Sequence, residues 1–292
     1  MHPIKTAVIG ASGFIGRHLW QSYRQTHPDC LGTGYSASHP GLSLLDIRAP
    51  DIQPLRLEET GHRAVLIAAA KPNIGYCDQN QAAAYAVNVA GTLDLIRQVS
   101  RTSLQVIFLS SDYVFDGQPD PHPDDEPPRP TTEYGRQKVL VEKEIPALTN
   151  NFLILRLSKI FNIQKGDNTL LDEMASALAA GREVRAAHDQ TFCPTHIDDL
   201  VRAIQGIQAN TLRGVLNVAS PERWSRYDIA ASLAAAMRVN PALVQRIALH
   251  EIPAMAGRPL DTSMACGRLQ HEVGATFRPF KDCIAQVAGN WR

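Results

Sequence analysis

Thr6-Ala-Val-Ile-Gly10-Ala-Ser-Gly13-Phe-Ile-Gly16-Arg17-His-Leu-Trp20 decides the fold. The apolar run over residues 4–9 reads as a strand, and three glycines in seven residues follow it at the first strand-to-helix junction. Glycines at such a junction let the chain turn tightly and let the backbone approach a pyrophosphate. The amide N–H groups opening the next helix then meet the anion's charge. Gly10, Ser12, Gly13, Phe14, Ile15 and Gly16 are therefore read as an anion cradle, with Arg17 beside it. The spacing G-x-x-G-x-x-G serves the same turn as the commoner G-x-G-x-x-G.

Outward from this turn the first half alternates. Short apolar runs at 31–34, 64–68, 105–109 and 152–155 are separated by helical spacing, as in Ala86, Val89, Leu93, Ile96 and Val99. Strands alternating with helices imply crossover connections and a parallel sheet covered on both faces. The expected architecture is a doubly wound, Rossmann-type α/β domain over residues 1–163. A smaller C-terminal lobe over 164–292 would carry helices near 170–180, 196–208, 226–237 and 279–288, with a stretch near 195–220 returning to the sheet. Residues 116–130 hold six prolines and several acids, which predicts a surface loop, functional or loosely ordered.

Composition narrows the function classes. The 292 residues carry 29 basic and 29 acidic side chains, so the balanced charge lacks the footprint of a nucleic-acid binder. No apolar run is long enough to span a membrane, and the amino terminus lacks a signal-peptide pattern, which predicts a cytoplasmic protein. Five cysteines, odd in number and without a C-x-x-C pair, argue against a disulfide framework or thiolate zinc site, and no metal site is assigned. His188 and His196 flank Cys193 and Asp198-Asp199, where a helix cap after Pro194 is preferred to a cation site.

Further candidates lie where strands end. An acid that would bind an adenosine 2′-hydroxyl is missing from 31–39, so NADP is favoured over NAD, with Arg17 as the candidate cation. Asp46 and Ile47 could receive the adenine. Ala68, Ala69 and Ala70 offer small side chains where a ribose or pyrophosphate could pass. Ser110 and Ser111 end the 105–109 strand, and Tyr134 and Lys138 share one face near the start of a helix that Pro146 ends or kinks. A phenol is a poor proton-transfer group at neutral pH. An adjacent ammonium is expected to lower its pKa, while a serine hydroxyl holds the substrate oxygen.

In this order the glycine turn, Ser111 and Tyr134-x-x-x-Lys138 resemble the extended short-chain dehydrogenase/reductases. Ser110-Ser-Asp-Tyr-Val-Phe-Asp-Gly117, Asp189-Gln-Thr-Phe-Cys-Pro-Thr-His-Ile-Asp-Asp-Leu200 and Arg258-Pro-Leu-Asp-Thr-Ser263 look most like the dTDP-4-dehydrorhamnose reductase family. The resemblance implies Ser111, Tyr134 and Lys138 as catalytic residues. It also implies Ser110, Tyr134 and Lys138 as cofactor contacts, and NADP, or NAD, as cofactor. A sugar nucleotide would lie against Ser111, Asp112, Tyr113, Lys159 and Arg258. Lys159 stands where the family carries tryptophan, and Asp261 where it carries asparagine, which implies an altered pocket. The same resemblance extends to epimerases and dehydratases, to the regulatory beta subunit of methionine adenosyltransferase, and to homodimers.

Overall fold

The computed structural model describes residues 4–36, 40–255 and 257–291; residues 37–39, searched above for an acid, lie outside them. Each residue of β1 (Thr6–Ile9) is buried, as in a strand covered on both faces. The glycine turn leads into α1 (Phe14–Thr26), then two short strands, β2 (Thr33–Gly34) and β3 (Ser43–Leu44), and the wholly buried β4 (Ala64–Ile67). Helices α2 (Ile74–Gln79), α3 (Gln81–Tyr85) and α4 (Thr92–Val99) precede β5 (Gln105–Ser111), and α5 (Glu133–Leu148) precedes β6 (Phe152–Leu157). The helix α5 runs through Pro146 and ends two residues later rather than at it. So late in a helix, a missing amide costs little because the turn is already fraying.

The remainder holds β7 (Ile160–Phe161), α6 (Leu170–Ala179), β8 (Val184–Ala187), β9 (Thr191–Phe192), β10 (Thr195–His196), α7 (Ile197–Ala209), β11 (Gly214–Val218), β12 (Trp224–Ser225), α8 (Arg226–Met237), β13 (Val244–Ile247), α9 (Gly267–Val273) and α10 (Phe280–Asn290). Strand β11 returns to pair in parallel with β6, giving a five-stranded sheet in the order β1-β4-β5-β6-β11. A bridge from Val8 to Gly32 sets the β2–β3 pair on the other side of β1.

Strand side chains alternate between two cores, as a period of two requires. Val8, Leu66, Ile107 and Leu155 pack with Leu19 and Tyr23 of α1 and Leu200 and Ile204 of α7. Ile9, Val65, Phe108 and Ile154 pack with Leu93 and Ile96 of α4 and Val141 and Ile145 of α5. A third core gathers Leu171 of α6, Leu233 of α8 and Ile284 of α10 around Phe161 and Phe280. Full burial of one such side chain contributes about 1.5–3 kcal/mol.

The acidic, proline-rich segment is an ordered strap. His122 is buried, stacks on Phe115 at 4.2 Å, and contacts Glu126 through Nδ1 at 2.9 Å. The Asn217 side chain donates to the His122 carbonyl at 2.8 Å, the Asn217 amide donates to Asp124, and His122 bridges to Met264. His196 is the cap expected after Pro194: its Nδ1 accepts the Asp198 amide at 3.1 Å.

Candidate functional site

Gly10, with φ +89°, and Gly16 shape the turn between β1 and α1. A Cβ on Gly10 would stand 2.6 Å from the Ala69 nitrogen, and one on Gly16 only 2.2 Å from the Gly10 carbonyl oxygen. Side chains are therefore barred from both, and the backbone itself forms the wall. Helix α1 opens without an acid in its first turn and without a side-chain cap from Gly13. Its leading amides are left to an anion, the condition a pyrophosphate cradle needs.

Two cavities meet over this turn at the carboxyl ends of the strands. One, about 570 Å³, is lined by Gly10, Ser12, Gly13, Asp46, Ile47 and Ala68–Ala70. The other, about 540 Å³, takes Gly13 to Gly16, Ala68, Ala70, Ser110, Ser111, Asp112, Tyr113, Tyr134, Lys138, Lys159 and Arg258. Gly13, Ala68 and Ala70 belong to both. A third cavity, about 610 Å³, opens among 50–59 and 94–104 and holds none of the predicted residues.

Arg17 departs from expectation. It is exposed on α1 and lines none of these cavities, because the first-turn position that follows Gly16 turns it outward. Arg48 and Lys71 line the first cavity, and Arg48 is stacked over Tyr35 at 5.1 Å and donates to Asp46 through Nε at 3.0 Å. The guanidinium holds the Asp46 carboxyl below its ordinary range. Asp46 thus spends its acceptors on Arg48 rather than standing free for an adenine.

The second cavity places Tyr134 and Lys138 on the first turns of α5, which starts with the Gly135 amide donating to Thr132 Oγ1 at 3.1 Å. Lys138 donates to the Leu109 carbonyl at 2.8 Å and lies 4.5 Å from the Phe108 ring centroid and 5.7 Å from that of Tyr134. Burial pushes its ammonium down to about 8, with Glu142 opposing. Tyr134 does not behave as the ammonium alone would dictate. Burial, and then the charge of Asp112, raise its pKa, so the phenol keeps its proton. The Ser111 hydroxyl pulls the other way without offsetting burial, and Lys138 spends its hydrogen bond on the Leu109 carbonyl.

Ser111 donates to Asp112 at 3.0 Å, as do Thr262 at 2.9 Å and Ser158 at 3.3 Å. Asp112 is 5% exposed, and burial pushes its carboxyl up to about 6 against the pull of these three hydroxyls. Behind it, Ser110 donates to Glu142, which pairs with Arg156 at 2.9 Å; Arg156 also donates to the Asp124 carbonyl of the strap at 3.1 Å.

Several residues of the site were not singled out in the sequence. Gln190, between β8 and β9, and Arg226, the first residue of α8, lie far along the chain, and Arg226 Nε donates to Gln190 Oε1 at 2.6 Å. Asn88 sits on a widened π turn (Ala86–Gly91), donates to Gln137 at 2.8 Å and accepts the Lys71 amide at 2.7 Å, which pins the segment after β4. Such a turn re-aims one side chain inside a helix, and only the misfit of Asn88 among apolar neighbours hinted at it.

The chain belongs to the RmlD substrate binding domain family, which matches residues 4–292. Its architecture is the Rossmann-like fold of the extended short-chain dehydrogenase/reductases. A dTDP-4-dehydrorhamnose reductase from Bacillus anthracis, solved in complex with NADP, superposes with a TM-score of 0.84 over 98% of this chain and 99% of that one, at 21% identity. Methionine adenosyltransferase 2 subunit beta of Danio rerio is 26% identical over 96% of this chain and 88% of its own length. The probable low-salt glycan biosynthesis reductase Agl14 of Haloferax volcanii is also 26% identical, over 96% of both chains. No helix among the described residues is long and apolar enough to cross a membrane.

Proposed function

We propose that the chain is an NAD(P)H-dependent oxidoreductase that reduces a keto group on a nucleotide-linked sugar. One observation carries the reading: the glycine turn and the Ser111, Tyr134 and Lys138 side chains face a single cavity of about 540 Å³. Gly10 and Gly16, which admit no Cβ, and the open first turn of α1 suit a dinucleotide pyrophosphate. Arg48 and Tyr35 would meet the adenosine end, where a guanidinium favours the 2′-phosphate of NADP over NAD.

When bound, the nicotinamide supplies a hydride for the keto carbon. The buried phenol of Tyr134, which keeps its proton, then donates it to the resulting alkoxide, so the carbonyl becomes an alcohol. Ser111 orients the sugar oxygen, and Lys138 lies along the cofactor side of Tyr134. Asp112 follows Ser111 as in sugar-nucleotide dehydratases, but its carboxyl accepts from three hydroxyls, and Tyr113 rather than a glutamate follows it. NADPH oxidation with a panel of keto-sugar nucleotides tests the reading. Turnover with at least one of them is expected, and its loss in Tyr134→Phe with retained NADPH binding assigns the proton donor.

A second reading rests on the relatives named methionine adenosyltransferase 2 subunit beta. In that case the same cleft binds cofactor without turnover, and the chain serves a partner protein. Absence of turnover across the panel, together with a stoichiometric partner, would favour it.

A further inference from the structure

The sugar side of the second cavity carries more positive charge than its walls neutralise. Lys159, Arg226 and Arg258 all line it, and none of the three is within ion-pair distance of a carboxylate. The Lys159 side chain makes no hydrogen bond or ion pair and stands open to the cavity. Arg226 is tied to the neutral Gln190, and Arg258 donates to the Ala254 carbonyl at 3.1 Å while its buried Nε has no partner. The two facing carboxylates are Asp112, already satisfied by three hydroxyls, and Glu173 on α6. Desolvation by the cavity walls, then the like charge of Arg226, lowers the Lys159 ammonium, while Glu173 and Asp112 pull the other way.

Asp261, the other unusual residue, does not relieve this charge. Its carboxylate is held by Arg223 and by the Ser263 amide at 2.8 Å, and it does not line the cavity. Lys138 is turned to the Leu109 carbonyl, so Lys159, Arg226 and Arg258 are three lining cations without an ion pair, whereas a sugar nucleotide's diphosphate brings about two negative charges. An unscreened ammonium left over in a cleft is a binding site for a further anion.

Resting on the sugar-nucleotide reading above, we propose that the preferred ligand bears a carboxylate on the sugar itself, and that Lys159 is the residue that selects it. Arg226 and Arg258 are then left for the diphosphate. The sugar-binding end lies next to Ser158, whose hydroxyl is on Asp112, so the selected group sits near the reacting carbon.

Calorimetric binding of UDP-glucuronate and UDP-glucose to the NADPH-loaded protein tests this without any need for turnover. At least tenfold tighter binding of UDP-glucuronate is expected. Lys159→Met should level the two ligands, and Lys159→Arg should keep the preference, with unfolding midpoints confirming that both variants fold. Equal binding by the unaltered protein, binding of neither ligand, or a preference that survives Lys159→Met would overturn the proposal. The reductase reading is judged separately by NADPH oxidation: a carboxylate preference without turnover would sink that reading alone, and turnover without the preference would sink this one.

Discussion

The cofactor side and the sugar side of the cleft are built in different ways. Gly10 to Gly16 come from one continuous stretch whose job is done by backbone, and two of its glycines cannot be replaced without steric conflict. The opposite wall draws Lys159, Gln190, Arg226, Arg258 and Thr262 from separate segments that only the tertiary fold assembles. A backbone-made site is fixed by local chemistry, and a side-chain-made site is free to be retuned one residue at a time. Lys159, in the proposal made above, is such a retuning.

The sharpest way to break this contrast is at Tyr134, which stands between the two sides. Tyr134→Phe should lower kcat about 1000-fold while the dissociation constant for NADPH, read by fluorescence titration, changes by less than about twofold. A comparable loss of NADPH binding would mean that the phenol belongs to the cofactor side. Next in size is the buried pair beneath both walls. Arg156→Met leaves Glu142 without its partner, and urea unfolding should show a loss of about 3–5 kcal/mol; a loss under about 1 kcal/mol would remove the pair as the joint between α5, β6 and the strap.

Asp112 supplies a pH test. Its folded-state value, about 6, lies above the ordinary 3.8, so its contribution to stability is full below about pH 4 and is lost as pH rises through 6. The stability of Asp112→Asn relative to the unaltered protein should therefore grow between pH 4 and 7, by up to about 3 kcal/mol. A gap that stays flat across that range would show that the carboxyl is not desolvated. Smallest is the adenosine end: Arg48→Ala should weaken NADPH binding about tenfold and NADH binding hardly at all. Arg17→Ala should leave both unchanged, and the reverse pattern would restore Arg17 to the site.

The same contrast explains what the sequence could tell. Strand burial, the glycine turn and the order Ser111, Tyr134, Lys138 are local patterns, and the structure brings them to one cavity. The return of β11 to the sheet was legible because an apolar run in a helical region has few other uses. Arg17 was misplaced since sequence adjacency to Gly16 says nothing about which way a helical side chain turns. Arg48 was missed although it follows Asp46 by two residues, because the contact depends on the side chain folding back over Tyr35. Tyr134 was expected to be acidified by Lys138, and only the depth of burial, invisible in a sequence, reverses the sign. Arg226 lies outside every stretch quoted from the sequence, and Gln190 and Thr262 lie inside the 189–200 and 258–263 stretches without being singled out there.

The strap between Ser111 and Tyr134 also limits how this chain can change length. Residues 118–121 are exposed, whereas His122 and Asp124 are stitched to Asn217 and the 263–265 segment. Inserted residues or a protease nick at 118–121 would leave the stitches in place. The same change at 122–126 would release the contacts of Arg156 with the Asp124 and Glu126 carbonyls, and Arg156 is the partner of Glu142 on the helix that carries Tyr134. Lineages of such proteins can therefore vary the hem of this strap but not its seam.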